Sequence, residues 1–333
     1  MGMLPFSLVY RSGFYLPFGN AHVFPGLKYK LIREHLLASG AASESDFALA
    51  EPIALDDVVR VHEAAFVDRL IQGTLSAQEI RRMELPYSHE LVEATLLGCG
   101  GTLAAARLAL RDGIACAIGG GFHHAHRAHG EGFCMLHDVA IAVARLLHER
   151  TVARALIVDL DVHHGNGTAA LFPPLGEPVA RAQLDFAALR GSLKPSAQGV
   201  FTLSLHQENN YPAYKPPSSL DVPLADGVGD EDYLEALEQA LAMAFDCFSP
   251  QIVAYVAGAD PFVEDKLGGL ALSMEGLKQR DRTVFRTVQS AGVPIFSVYA
   301  GGYARRLEDT VAIHSNTVLA AAEVFSYHGA TSC

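Results

Sequence analysis

The sequence predicts an α/β fold with a parallel sheet, and two observations carry that reading. Short apolar runs alternate with long stretches of helical periodicity, and several runs stop abruptly at glycine, histidine or an acid. Continuous apolar runs suit strands buried on both faces, and regular alternation with helices specifies parallel strands covered from both sides. The expected strands are 7–10, 115–119, 155–161, 201–205, 252–258 and 294–299. The expected helices are 89–111, 137–150, 231–248, 274–290 and a final stretch through 317–325. Segments 176–199 and 208–223 read as long irregular loops, which in a compact enzyme usually shape the mouth of a site.

At 333 residues with 50% hydrophobic content, the chain can bury one large core. No linker, low-complexity tract or internal repeat divides it, so residues 1–333 are expected to form one catalytic domain. Twenty-five basic residues against 37 acidic ones give a net charge of -12, which argues against direct nucleic-acid binding and against an anionic membrane surface. The same charge favours a cationic substrate such as a lysine-rich tail or a polyamine, and it also serves simple solubility. Cys99, Cys116, Cys134, Cys247 and Cys333 are odd in number and lack CxxC spacing. They are therefore expected to be reduced, not a disulfide framework or a thiolate metal site. No secretory leader is legible, Phe6 stands where a myristoylation signal wants Ser or Thr, and no segment reads as long and apolar enough to span a bilayer. The expected location is cytoplasmic.

The ends of the strands carry the chemistry. After the apolar run Ala155-Leu156-Ile157-Val158 come Asp159, Asp161 and His163 at alternate positions, which share one face of an extended segment. A carboxylate and an imidazole two residues apart make half of an oxygen and nitrogen metal site suited to zinc. The apolar run 252–258 ends at Asp260, a candidate third ligand at the same edge of the sheet. Asp161, His163 and Asp260 would leave one coordination position open, as catalytic zinc sites do. A third run passes through Gly119-Gly120-Gly121 to Phe122, His123 and His124, and a fourth ends Ala300-Gly301-Gly302-Tyr303. Zinc-activated water, imidazoles for proton transfer and a phenol facing a developing oxyanion are the parts needed to hydrolyse an amide.

The runs Gly120 to Ala125, Gly132-Phe133-Cys134, Asp159 to Gly167, Ser204-Leu205-His206, Gly258-Ala259-Asp260 and Gly301-Gly302-Tyr303 resemble the zinc-dependent histone deacetylase family, in the same order and over most of the chain. Asp260 to Leu270 and Phe24 to Tyr29 are most similar to its class IV and bacterial class IV-like branch. The resemblance implies the eight-stranded parallel sheet of the arginase/deacetylase fold, with helices on both faces and the site at the carboxyl ends of the strands. It implies Asp161, His163 and Asp260 as zinc ligands, His124 as general base with His123 as its electrostatic partner, Asp159 as the carboxylate orienting His123, and Tyr303 as oxyanion donor. Asn166 stands where some branches have a second aspartate, so His124 should gain less stabilisation of its protonated form. Ala300 precedes only two glycines, which should restrict the tyrosine loop. Phe122, Phe133, Tyr211, Gly132 and Gly301 match a narrow acyl-lysine tunnel. Ser204, with backbone groups of Asp159, Asp161, His163 and Leu205, matches a site for a monovalent cation, K+ or Na+. His164 should point away from the metal as a packed residue, and His126 and His129 read as rim histidines.

The expected activity is zinc-dependent removal of an acyl group, acetyl by default, from lysine side chains of proteins or peptides. An acylpolyamine amidohydrolase would use the same catalytic set behind another entrance. A silent acyl-lysine binding module is disfavoured because no reactive residue is missing, and an arginase-like hydrolase would need two manganese ions.

Overall fold

The computed structural model describes residues 4–14, 22–174 and 199–326. Its strands are β1 (Ser7–Val9), β2 (Phe47–Ala48), β3 (Ile114–Ala117), β4 (Arg154–Asp159), β5 (Gly199–Gln207), β6 (Leu220–Leu224), β7 (Ile252–Ala257) and β8 (Ile295–Tyr299). They form one eight-stranded sheet, parallel throughout, in the order β2-β1-β3-β8-β7-β4-β5-β6. Every residue of β3, β7 and β8 is buried. Because successive side chains point to opposite faces, burial of all of them requires helices on both faces.

The helices are α1 (Lys28–Ala38), α2 (Leu55–Val58), α3 (Ala64–Gln72), α4 (Ala77–Met83), α5 (His89–Asp112), α6 (Asp138–His148), α7 (Asn166–Leu171), α8 (Asp230–Cys247), α9 (Met274–Ser290) and α10 (Leu307–Phe325). α5 packs on β1, β3 and β8 and against α6, while α9 packs between α8 and α10. α5 approaches its neighbours closely: a Cβ at Gly100 would sit 1.8 Å from the Glu51 carbonyl oxygen. Contrary to the sequence expectation, α5 is long and apolar enough to cross a membrane by length and composition, but two-thirds of its apolar window (67%) is buried within the protein. Its apolarity is satisfied by the core.

The structure departs from the sequence reading mainly at the sheet edges. β2 is only two residues long, and β6 begins at Leu220 inside a segment expected to be irregular. Edge strands this short carry too little alternation to stand out. Of the expected loop 176–199, residues 176–198 lie outside the described residues, and Gly199 opens β5. α10 starts at Leu307, well before 317, because its buried His314, Ser315 and Thr317 interrupt the apolar period. Cys99, Cys116, Cys134 and Cys247 are buried free thiols, and Cys333 lies outside the described residues.

Candidate active site

β3, β8, β7 and β4 are consecutive neighbours in the sheet and run in one direction. The four strand ends singled out in the sequence therefore open at one edge. His123 and His124 follow β3, Tyr303 follows β8, Asp260 follows β7, and Asp161 and His163 follow β4. All six side chains are buried.

Asp161, His163 and Asp260 meet with one potential ligand atom each, all within 4.8 Å of one another. His163 Nδ1 lies 3.0 Å from Asp161 Oδ1 and 3.2 Å from Asp260 Oδ2. The outer lone pairs are already fixed by backbone: the Gly301 N–H donates to Asp161 Oδ2 (2.7 Å) and the Val162 N–H to Asp260 Oδ1 (2.9 Å). Asp260 Oδ2 is buried, near His163 but not aligned for a hydrogen bond. Burial and the charge of Asp161 push the Asp260 carboxyl up to about 7. For His163, burial opposes protonation, yet the two carboxylates raise it to about 10. Two buried carboxylates around one imidazole form a donor set that calls for a cation. Gly301 shows how tight the cradle is, since a Cβ there would lie 1.9 Å from Asp260 Oδ2 and 2.6 Å from Asp161 Oδ2. The residues fit a metal such as zinc, with two oxygens and one nitrogen and no thiolate.

The paired histidines stand beside that cluster. His123 Nδ1–H donates to Asp159 Oδ2 at 2.8 Å, and His124 Nδ1 lies 2.7 Å from Asn166 Oδ1. Burial lowers the pKa of both. For His123, Asp159 and Asp161 outweigh burial and bring it to about 9, whereas burial and neighbouring His123 and His163 hold His124 well below its usual range. Asn166 offers His124 a neutral amide, which supports the protonated form too weakly to offset burial and its charged neighbours, so the imidazole is free to accept a proton.

Tyr303 packs against Phe24, Phe133 and His163, with ring centroids 6.1, 5.9 and 6.4 Å away. Burial and the nearby Asp161 and Asp260 push its phenol well above 10, so it remains a donor. A cavity of about 260 Å³ opens over these groups, and Phe122, Phe133, Tyr211, Gly132 and Gly301 all line it. Phe133 sits at φ 64°, a conformation bulky residues rarely adopt. Its N–H donates to the Met83 carbonyl (2.9 Å).

Several supporting residues escaped the sequence reading. Asp138 accepts the N–H groups of Gly121 (3.0 Å) and Phe122 (2.8 Å) and the Thr102 hydroxyl (2.6 Å), which fixes the turn before the histidines. Asp265 accepts the Tyr303 N–H at 2.6 Å. Lys28 Nζ, wholly buried, donates to the Ala300 carbonyl and lies 4.9 Å above the Phe24 ring, so the tyrosine loop is pinned at Ala300. Burial brings this ammonium down to about 8 against the pull of Asp260 and Asp161. Buried Arg280 donates to the carbonyl of Gly258 (2.6 Å) and bonds Asp281 (2.9 Å) beneath the metal-side loops. Glu131 accepts the Asn166 amide (2.7 Å) and the Tyr211 hydroxyl (3.1 Å). Only Lys28 and Asp265 had a sequence signal, inside the Phe24 to Tyr29 and Asp260 to Leu270 runs. The others act through backbone N–H groups or across space, which no local spacing records.

His164 points away from the metal cluster and pairs with Asp221 at 3.1 Å, as expected of a packed residue. His126 and His129 are partly exposed, stacked at 4.6 Å beside Glu131. Ser204 is buried next to Asp159 in the β4–β5 register, 3.0 Å from His206 Nδ1, and Leu205 is buried behind it.

The histone deacetylase domain model matches residues 22–318. An uncharacterized protein of Picosynechococcus sp. is 37% identical over 96% of this chain and 99% of its own length. Histone deacetylase 2 of Arabidopsis thaliana is 29% identical over 92% of this chain and 77% of its own. The crystal structure of an HDAC homolog from Aquifex aeolicus superposes with a TM-score of 0.74 at 20% identity, covering 95% of this chain and 84% of that one, a likeness of fold. With the domain match spanning nearly the whole described chain and the strand-end residues gathered at one edge of an eight-stranded parallel sheet, the chain belongs to the histone deacetylase family.

Proposed function

We propose that the protein is a zinc-dependent amidohydrolase that removes acyl groups, acetyl by default, from lysine side chains of proteins or peptides. The observation that carries this reading is the meeting of an Asp161–His163–Asp260 donor set, a free imidazole at His124 and a protonated phenol at Tyr303 around one cavity. Those three residues would hold a zinc ion, which when bound would supply a Lewis acid for the substrate carbonyl and lower the pKa of water. His124 takes the proton of the attacking water at Nε2 and returns it to the departing amine. His123, held as imidazolium by Asp159, adds positive charge beside the reacting centre. Tyr303 donates to the carbonyl oxygen as negative charge builds there. Phe122, Phe133 and Tyr211 sheathe the acyl-lysine chain, with Gly132 and Gly301 leaving room for it. Ser204, with backbone groups of Asp159, Asp161, His163 and Leu205, would hold a K+ or Na+ ion, which would brace the loop that carries the metal ligands.

The test is a hydrolysis panel of acetyl-, butyryl-, octanoyl- and myristoyl-lysine peptides alongside acetylspermidine. Turnover of lysine peptides above the acetylpolyamine supports the reading. Preference for acetylspermidine would assign the same catalytic set to polyamine deacylation, and no turnover of any substrate by zinc-loaded protein would overturn it.

A further inference from the structure

An amide reverses its donor and acceptor ends by a half-turn, so a histidine held by asparagine has its tautomer decided by whatever holds the far side of that asparagine. The far side of Asn166 is built from two acceptors. Its Nδ2 donates to Glu131 Oε1 at 2.7 Å and approaches His126 Nε2 at 3.1 Å. Burial works against the ionised Glu131 carboxyl, but bonds from His129 and Asn166 bring it down to about 2, and burial and His129 lower His126, so an anion and a neutral imidazole face the NH₂ group. A reversed amide would set its oxygen 2.7 Å from the Glu131 carboxylate, an unpaired contact between two acceptors. The side chains of His126, His129 and Glu131 are close enough to suggest a second metal. However, Asn166 already approaches His126 Nε2 and engages Glu131, which makes the cluster a seat for the amide.

We propose that Glu131 is a positioning residue for His124: by accepting from Asn166 it keeps the amide oxygen toward His124 Nδ1, which fixes the Nδ1–H tautomer and leaves Nε2 unprotonated toward the cavity. Resting on the reading of His124 as general base, this gives the chain a carboxylate in service of that histidine, one amide further away than a direct aspartate. A neutral partner at 131 removes the bias. With Glu131→Gln, either orientation of Asn166 finds a partner, and part of the enzyme carries Nε2–H, which cannot accept a proton.

The experiment is a double-mutant cycle in zinc-loaded protein with an acetyl-lysine peptide, using Glu131→Gln, Asn166→Asp and the pair. Glu131→Gln alone should lower kcat by about tenfold to a hundredfold, less than the ~10²–10⁴ that a whole positioned base contributes because part of the enzyme keeps the competent tautomer, with KM little changed. In the Asn166→Asp background a carboxylate accepts from His124 in any orientation, so the same Glu131→Gln change should cost nothing or raise the rate by relieving two adjacent carboxylates. An equal loss in both backgrounds would mean a merely structural role and overturn the proposal. Long-range ¹H–¹⁵N correlation of the histidine rings, with His124 identified through His124→Asn, reads the tautomer without turnover. Nδ1–H in wild type and a mixture in Glu131→Gln are expected, and Nε2–H in wild type overturns it. If wild type hydrolyses nothing, the deacylase reading fails and the ring spectrum alone decides this one.

Discussion

The two halves of the site solve opposite electrostatic problems with similar residues. On the β4 and β7 side, two buried carboxylates and His163 crowd together, a concentration of negative charge that suits a cation. On the β3 side, two histidines adjacent in sequence and equally buried diverge: His123, bonded to a carboxylate, rises to about 9, and His124, bonded to an amide, falls well below the usual range. Burial alone would neutralise both; the charges of Asp159 and Asp161 hold the proton on His123, and the positive charge of His123 and His163 adds to burial in keeping it off His124. One half is built to hold a charge and the other to move a proton.

Breaking the metal half should have the largest effect. Asp161→Asn and Asp260→Asn each exchange a carboxylate for a poor zinc ligand, and each should abolish most activity and lower zinc retention on elemental analysis. Unchanged zinc content in both variants would remove the pair from the ligand set.

Tyr303→Phe comes next, because it keeps the ring contacts with Phe24 and Phe133 and deletes only the donor. Loss of one preorganised oxyanion donor costs about 10² to 10³ in rate, roughly 2.7 to 4 kcal/mol, and it should fall on kcat. Single-turnover hydrolysis with parallel substrate affinity checks this, and a variant keeping more than about a third of the wild-type rate, far outside that range, would take Tyr303 out of the mechanism.

The β3 half can then be pulled toward symmetry from either side. Asp159→Asn leaves both histidines with neutral partners, so His123 loses its main source of positive charge. The rate near neutral pH should fall by about tenfold to a hundredfold, below the ~10² to 10⁴ of a whole acid–base group. Asn166→Asp gives both histidines carboxylates. A negative partner raises the pKa of His124, so more of it is protonated at a given pH and the acidic limb of kcat/KM moves to higher pH. An unmoved limb in folded protein would separate His124 from the rate-limiting proton transfer.

Much of this arrangement is legible in the sequence because strand ends are local. An apolar run followed by Asp161 and His163, or by Asp260, puts ligand atoms at a sheet edge once the strands are parallel, and the order β3-β8-β7-β4 brings them together. Past Asp159, where the ladder ends, the chain bends, and Asp161 and His163 still come together because the Asp161 carboxylate accepts the His163 N–H (2.9 Å) and meets its ring (3.0 Å). What stayed hidden acts across space. Asp138 and Asp265 grip backbone N–H groups, which any residue can offer. Arg280 blends into the polar run of α9, with nothing in the sequence to mark it as buried. Glu131 lies in a glycine-rich loop as one more acid, and only the fold brings Asn166 to it. The tyrosine loop carries a contact that the sequence did not announce, the Lys28 ammonium on the Ala300 carbonyl.

The division of labour stands on a metal in the β4 and β7 half, and that is directly measurable. Protein stripped by chelation and then titrated with zinc should regain lysine deacylation in step with binding, saturating at one zinc per chain by elemental analysis. Full activity in protein verified to be metal-free, or a requirement for two manganese ions, would contradict the account.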